Sequence, residues 1–163
     1  MRDNREKIIG GQKMNAEQTP EQQALNSLVG KWTTEAKMIG ADTETKVTGT
    51  DEFRWFPGGN FLQHRVDLYV GTEKADILDM IGAYDKESGS YPLHSFDNTG
   101  GYVKLALSID EDGIVTIGDG KAFRSVLTPA YDGSTIATRG EKLEDGKWVT
   151  FMEGTLTRSE DKL

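Results

Sequence analysis

From Gly30 to Arg158 the chain alternates side-chain character residue by residue between closely spaced turn signals. In 31–39, Trp32, Thr34, Ala36 and Met38 share one face, and Thr33, Glu35 and Lys37 the other. In 60–70, Leu62, His64, Val66, Leu68 and Val70 oppose Phe61, Gln63, Arg65, Asp67 and Tyr69. In 147–157, Trp148, Thr150, Met152, Gly154 and Leu156 oppose Val149, Phe151, Glu153, Thr155 and Thr157. A period of two is strand geometry, because successive Cβ atoms leave opposite faces. Strands are predicted at 31–39, 46–56, 60–70, 75–84, 90–96, 102–109, 114–118, 121–128, 134–143 and 147–157. Between them lie Pro57-Gly58-Gly59-Asn60, Asp85 to Gly89, Asn98 to Gly101, and Asp-Gly pairs at Asp112, Asp132 and Asp145. Such pairs tolerate positive φ and favour tight hairpins.

Successive short hairpins make an up-and-down antiparallel meander. With about ten strands, closure into a β-barrel removes exposed edges. Several strands do not divide cleanly into oily and charged faces, which suits a barrel with a partly polar, ligand-sized interior. The competing arrangement is a two-sheet sandwich with a dry core. The fold class expected is therefore all-β: a closed antiparallel barrel of about ten strands, with one short N-terminal helix capping an end.

That helix is marked by Thr19 as N-cap, Pro20 at the first helical position and Gln22 completing a capping box. Ala24, Leu25 and Leu28 are expected on one face, and Gly30 ends it. A helix of about two and a half turns is not stable alone, so its apolar stripe must rest on the barrel. Residues 1–17 read as a flexible polar segment without a secretory signal, 18–158 as the barrel domain, and 159–163 as a charged tail.

Nineteen basic against 27 acidic residues leave a net charge of −8. A nucleic-acid partner needs a basic face, so none is expected. No apolar run approaches the ~20 residues of a membrane-spanning helix, and the protein is expected to be cytoplasmic without membrane insertion. The absence of cysteine excludes disulfides, thiolate metal sites and cysteine nucleophiles. Neither a phosphate-binding loop, a dinucleotide fingerprint nor a serine–histidine–acid triad is recognisable.

Leu25-Asn26-Ser27-Leu28-Val29-Gly30-Lys31-Trp32 sets a short helix directly before a Gly-x-Trp strand. Gly58-Gly59-Asn60-Phe61-Leu62, Gly82-Ala83-Tyr84-Asp85 and Thr155-Leu156-Thr157-Arg158 follow in order. Together these motifs resemble a bacterial lipocalin-like family of unknown function within the calycin superfamily. That superfamily includes lipocalins, fatty-acid-binding proteins and nitrobindin-like barrels. The resemblance spans about 24–158. It implies that Trp32 packs at the closed end beneath a cation from the last strand, Arg158 or failing that Arg139. A guanidinium stacks on an indole while its fork bonds strand-end carbonyls. Nitrobindin-like barrels hold haem through a histidine near the chain end; nothing after His94 can serve here, so no cofactor is expected.

Candidate binding residues are few. Fatty-acid-binding relatives hold a carboxylate with buried arginine, and Arg124 and Arg139 are the candidates for that anchor. The alternative pairs either with a glutamate on the outer surface. His64 and His94 could meet with Asp67 or Asp97 around a metal, but no metal-like spacing exists and no metal is expected. His64 reads better as a hydrogen-bonded barrel-wall residue, and both His64 and His94 are counted as candidate ligand-binding residues. Tyr84, Tyr91 and Tyr102 could line the mouth; of these Tyr84 and Tyr102 join the candidate site. Asp79 sits among Ile77, Leu78, Met80 and Ile81; burial there would suit acid–base work, while an outward turn would leave it in water.

The leading functional expectation is a binding module enclosing a small apolar or amphipathic ligand, with or without a carboxylate. The alternatives are a non-redox enzyme of isomerase or cyclase type using the same cavity, and a packed barrel acting through a protein partner or as a homodimer.

Overall fold

The computed structural model describes residues 7–9, 12–14, 17–40 and 44–159. A two-stranded ladder, β1 (Lys7–Ile9) with β2 (Gln12–Met14), precedes α1 (Pro20–Ala24). Ten strands follow: β3 (Gly30–Met38), β4 (Lys46–Trp55), β5 (Leu62–Val70), β6 (Glu73–Ile81), β7 (Tyr91–Asp97), β8 (Tyr102–Ile109), β9 (Val115–Gly118), β10 (Phe123–Pro129), β11 (Thr135–Glu144) and β12 (Lys147–Arg158). Each pairs antiparallel with its chain neighbours, and β12 returns to β3 through Arg158 opposite Trp32. These ten strands form a closed barrel, so each of them has two partners and the barrel has no edge.

The N-terminal cap forms as its residues dictate. The Thr19 hydroxyl accepts from the Gln22 amide, and the Gln22 side chain accepts from the Thr19 amide. The helix then tightens into a 3₁₀ turn over Leu25–Ser27 instead of continuing as α, as short helices do at their last turn. Leu25, Leu28 and Val29 are buried, whereas Ala24 faces solvent. The buried stripe therefore consists of Leu25, Leu28 and Val29, with Ala24 outside it.

Two halves of the barrel interior differ. Around the capped end Trp32, Phe53, Trp55, Leu62, Ile81 and Leu93 pack with the cap residues into one core. Further along the same inward faces, Leu68, Val70 and Ile77 are only half-buried, although Val47 opposite Val70 stays buried. This is the open end. Alternation along β12 breaks once. The register passes from Gly140–Met152 to Glu141–Thr150, leaving Phe151 as the extra residue of a β-bulge. The Phe151 ring lies where a Gly140 Cβ would be, 2.7 Å from that position. Beyond the bulge Thr150 and Trp148 turn outward, so they do not share a face with Met152 and Leu156 as strict alternation would have them. Among the described residues no helix is long and apolar enough to cross a membrane.

Candidate functional site

The boundary between the two halves is a charged floor. The β4–β5–β6 register aligns Phe53, His64 and Asp79 side by side on the inward face, with Asp51 one pleat away. His64 Nε2 lies 2.7 Å from Asp51 Oδ1, and His64 Nδ1 lies 2.9 Å from Asp79 Oδ2. Thr34 of β3 donates its hydroxyl to Asp51 Oδ2. Phe53 stacks on the imidazole with ring centres 3.9 Å apart and planes within 4°. All three charged side chains are about nine-tenths buried.

Burial pulls the His64 pKa down, but hydrogen bonds and charge from Asp51 and Asp79 together outweigh it and raise it from 6.5 to about 9. Both ring nitrogens therefore carry protons at neutral pH and donate, one to each carboxylate. Asp79 Oδ1 is buried and has no hydrogen-bond partner among the described residues. Among the described residues it is the only buried side-chain oxygen of the floor left with no partner at all.

The remaining sequence-predicted residues lie elsewhere. Arg124 and Arg139 stand on the outer wall, not in the interior. Their neighbours in register, Ser125 opposite Ile117 and Thr138 opposite Leu127, take the inward side. Arg124 Nε donates to Glu141 Oε1 at 3.0 Å, Arg139 Nε lies 3.3 Å from the same oxygen, and Arg124 covers the Trp148 ring at 4.1 Å. The two guanidiniums hold the Glu141 carboxyl below its ordinary pKa despite opposing desolvation. His94 also points outward, where Nδ1 meets the Tyr102 hydroxyl at 2.9 Å; Tyr102 is 58% exposed. His64 and His94 thus occupy opposite faces. Asp67 pairs with Lys74 outside, and Asp97 closes the turn to Gly101. Among the described residues no group of three or more candidate ligands is placed to hold a metal.

Tyr84 packs edge-on against Tyr91, with centres 5.1 Å apart, in a cleft of about 460 Å³ beside α1 at the capped end. A wider groove of about 770 Å³ crosses the outside of the wall over β10, β11, β12, β3 and β4, with Arg139 on its rim. At the capped end Arg158 lies over Trp32, 4.2 Å from the ring centre. Its Nε donates to Gly133 O and its Nη1 to Val29 O, both at 2.8 Å, while Trp32 Nε1 donates to Leu28 O at 2.8 Å. Burial lowers the Arg158 pKa, yet a guanidinium stays charged.

Sequence reasoning named His64 and Asp79 separately and passed over Asp51 and Thr34. The signal was present. A period of two in β4 puts Asp51 on the face of Val47, Phe53 and Trp55, all buried.

The sequence profile of a family described as "Protein of unknown function (DUF1579)" matches residues 17–158. No curated protein matches the chain. Among solved structures, the crystal structure of Rv2717c from M. tuberculosis is similar, with a TM-score of 0.60 at 14% identity, covering 88% of this chain and 100% of that one. At that identity the likeness speaks for the fold alone.

Proposed function

We propose that this chain, which belongs to the DUF1579 family, binds a small apolar or amphipathic molecule inside its barrel. One observation carries the reading: a single inward face passes from packed core to solvent-reachable wall across a buried charged floor. On β5 Leu62 is fully buried and Leu68 and Val70 are half-buried, with His64 between them. An apolar concavity with a few placed polar groups is the usual character of a ligand site. In this reading the ligand enters at the open end, Leu68, Val70 and Ile77 contact its apolar part, and the His64 floor meets its polar part. The barrel belongs to the lipocalin-like calycins, and the protein works in the cytoplasm without nucleic acid or membrane insertion, as a monomer or homodimer.

Native mass spectrometry of the freshly purified chain, set against its denatured mass, tests this. A constant extra mass that leaves on denaturation supports it and yields the ligand's formula weight. A bare mass, together with no thermal stabilisation by aliphatic probes, would overturn it. A second reading, acid–base chemistry in the same cavity, has the buried Asp79 oxygen in its favour; turnover of a bound ligand abolished by Asp79→Asn would mark it.

A further inference from the structure

We infer that the charged floor of the barrel takes the hydrogen-bond-donating head of an amphipathic ligand, an alcohol or a protonated amine, at Asp79 Oδ1. The inference rests on the proposed interior binding and names the chemistry that such binding selects.

The Asp79 side chain is 10% exposed. Oδ2 is engaged by His64, while Oδ1 has no partner among the described residues. Buried polar atoms are nearly always bonded, and an unmet carboxylate oxygen inside a protein is costly. A donor arriving from the open end relieves that cost. Ser95 lies opposite Asp79 in the β6–β7 register, on the same inward face and half-buried. It adds a hydroxyl beside the same head.

The charge inventory sets the sign. Two carboxylates, Asp51 and Asp79, share one imidazolium, so the floor is formally negative by 2 − 1 = 1. Among the described residues no other cation offsets it. Arg54 and Arg65 are exposed, Arg124 and Arg139 belong to Glu141 on the outer wall, and Arg158 is committed to carbonyls at the capped end. Lys142, inward on β11 at the rim, is half-exposed and paired with Glu144 at 2.9 Å. A carboxylate head would bring a third negative charge to the floor. An ammonium or hydroxyl would bring the missing proton.

Octylamine, octanol and octanoate share a tail and differ in the head. Titrated by calorimetry against the full chain at neutral pH and high salt, they separate the floor from the acidic surface, whose attraction for amines salt screens. Octylamine and octanol are expected to bind at least about tenfold more tightly than octanoate, which is roughly 1.4 kcal/mol. Asp79→Asn should cut octylamine binding by a similar factor. If that variant does not fold, the order of the three heads on the unaltered chain decides. Equal binding of all three would mean that water satisfies Asp79, and tighter octanoate binding would mean an anion site. Either overturns the donor-head assignment while leaving interior binding intact. Failure of all three to bind, with a bare native mass, would remove both.

Discussion

Arg158 and Trp32 are cross-strand partners of β12 and β3, and the guanidinium covers the indole at 4.2 Å while reaching the carbonyls of Val29 and Gly133. The last strand is thereby tied to β3, to Val29 just before β3 and to the β10–β11 turn. One side chain joins three segments far apart in the chain.

Arg158→Ala removes these contacts together. Charge-assisted hydrogen bonds are worth roughly 1.5–3 kcal/mol and a cation–π contact about 0.5–1 kcal/mol. With partial replacement by water, a loss of about 2–3 kcal/mol is expected. At ~2–4 °C per kcal/mol for a domain of this size, calorimetry should record a fall in Tm of roughly 5–10 °C. An unchanged Tm would show that the stack holds nothing together.

Gly30 tests the same junction from the other side. Its φ is 141°, and a Cβ there would collide with Arg158 Nη1. Gly30→Ala is therefore expected to displace the guanidinium as well as strain the backbone. In a double-mutant cycle with Arg158→Ala the losses should be strongly sub-additive, since the second change finds the contact already gone. Additive losses would mean that the backbone strain alone matters.

Stability should fall in mild alkali because of His64. Its pKa is about 9 in the fold and 6.5 when free. The folded state therefore holds a proton that the unfolded state loses. Its contribution is complete below about pH 6.5 and disappears as pH rises through 9. The shift corresponds to something on the order of 3 kcal/mol. Urea midpoints measured across this window should decline for the unaltered chain. His64→Gln should be less stable at neutral pH by about 3–5 kcal/mol, because Asp51 and Asp79 stay buried without a counter-charge, and should lose the slope. A slope that persists in the variant would assign it to another group.

Thr19→Ala removes one half of the capping box. A lost N-cap costs about 1 kcal/mol, so Tm should drop by roughly 2–4 °C. Thr19→Asp, which keeps an acceptor for the Gln22 amide, should restore most of it. If alanine is neutral, the packing of Leu25, Leu28 and Val29 holds the cap without help.

Much of the architecture is local and was therefore legible. Strand length, face and hairpin position follow from a period of two and from turn residues. The chain states these in sequence, from Trp32, Thr34 and Ala36 to the Asp145-Gly146 turn. The capping box is likewise a matter of residues three apart. The bulge at Phe151 was not legible, because it depends on how β12 meets β11, and with it went the facing of Trp148 and Thr150.

The candidate site divides in the same way. Alternation by itself put His64 on the face of Leu62 and Val66, and composition by itself marked Asp79 as a lone carboxylate among aliphatic residues. Neither could say that the two touch, or that Asp51 completes the pair, because 13 residues separate His64 from Asp51 and 15 from Asp79 and only strand register sets the distance. The side chosen by Arg124 and Arg139 was open for the same reason. A guanidinium in a strand can face a ligand or a glutamate, and the pairing of Arg124 with Glu141 across β10 and β11 decided it. Pattern along the chain determined that this protein is a meander of ten strands beneath a short helical cap. Barrel closure alone decided which polar residues were sealed inside, since burial depends on what lies across the barrel.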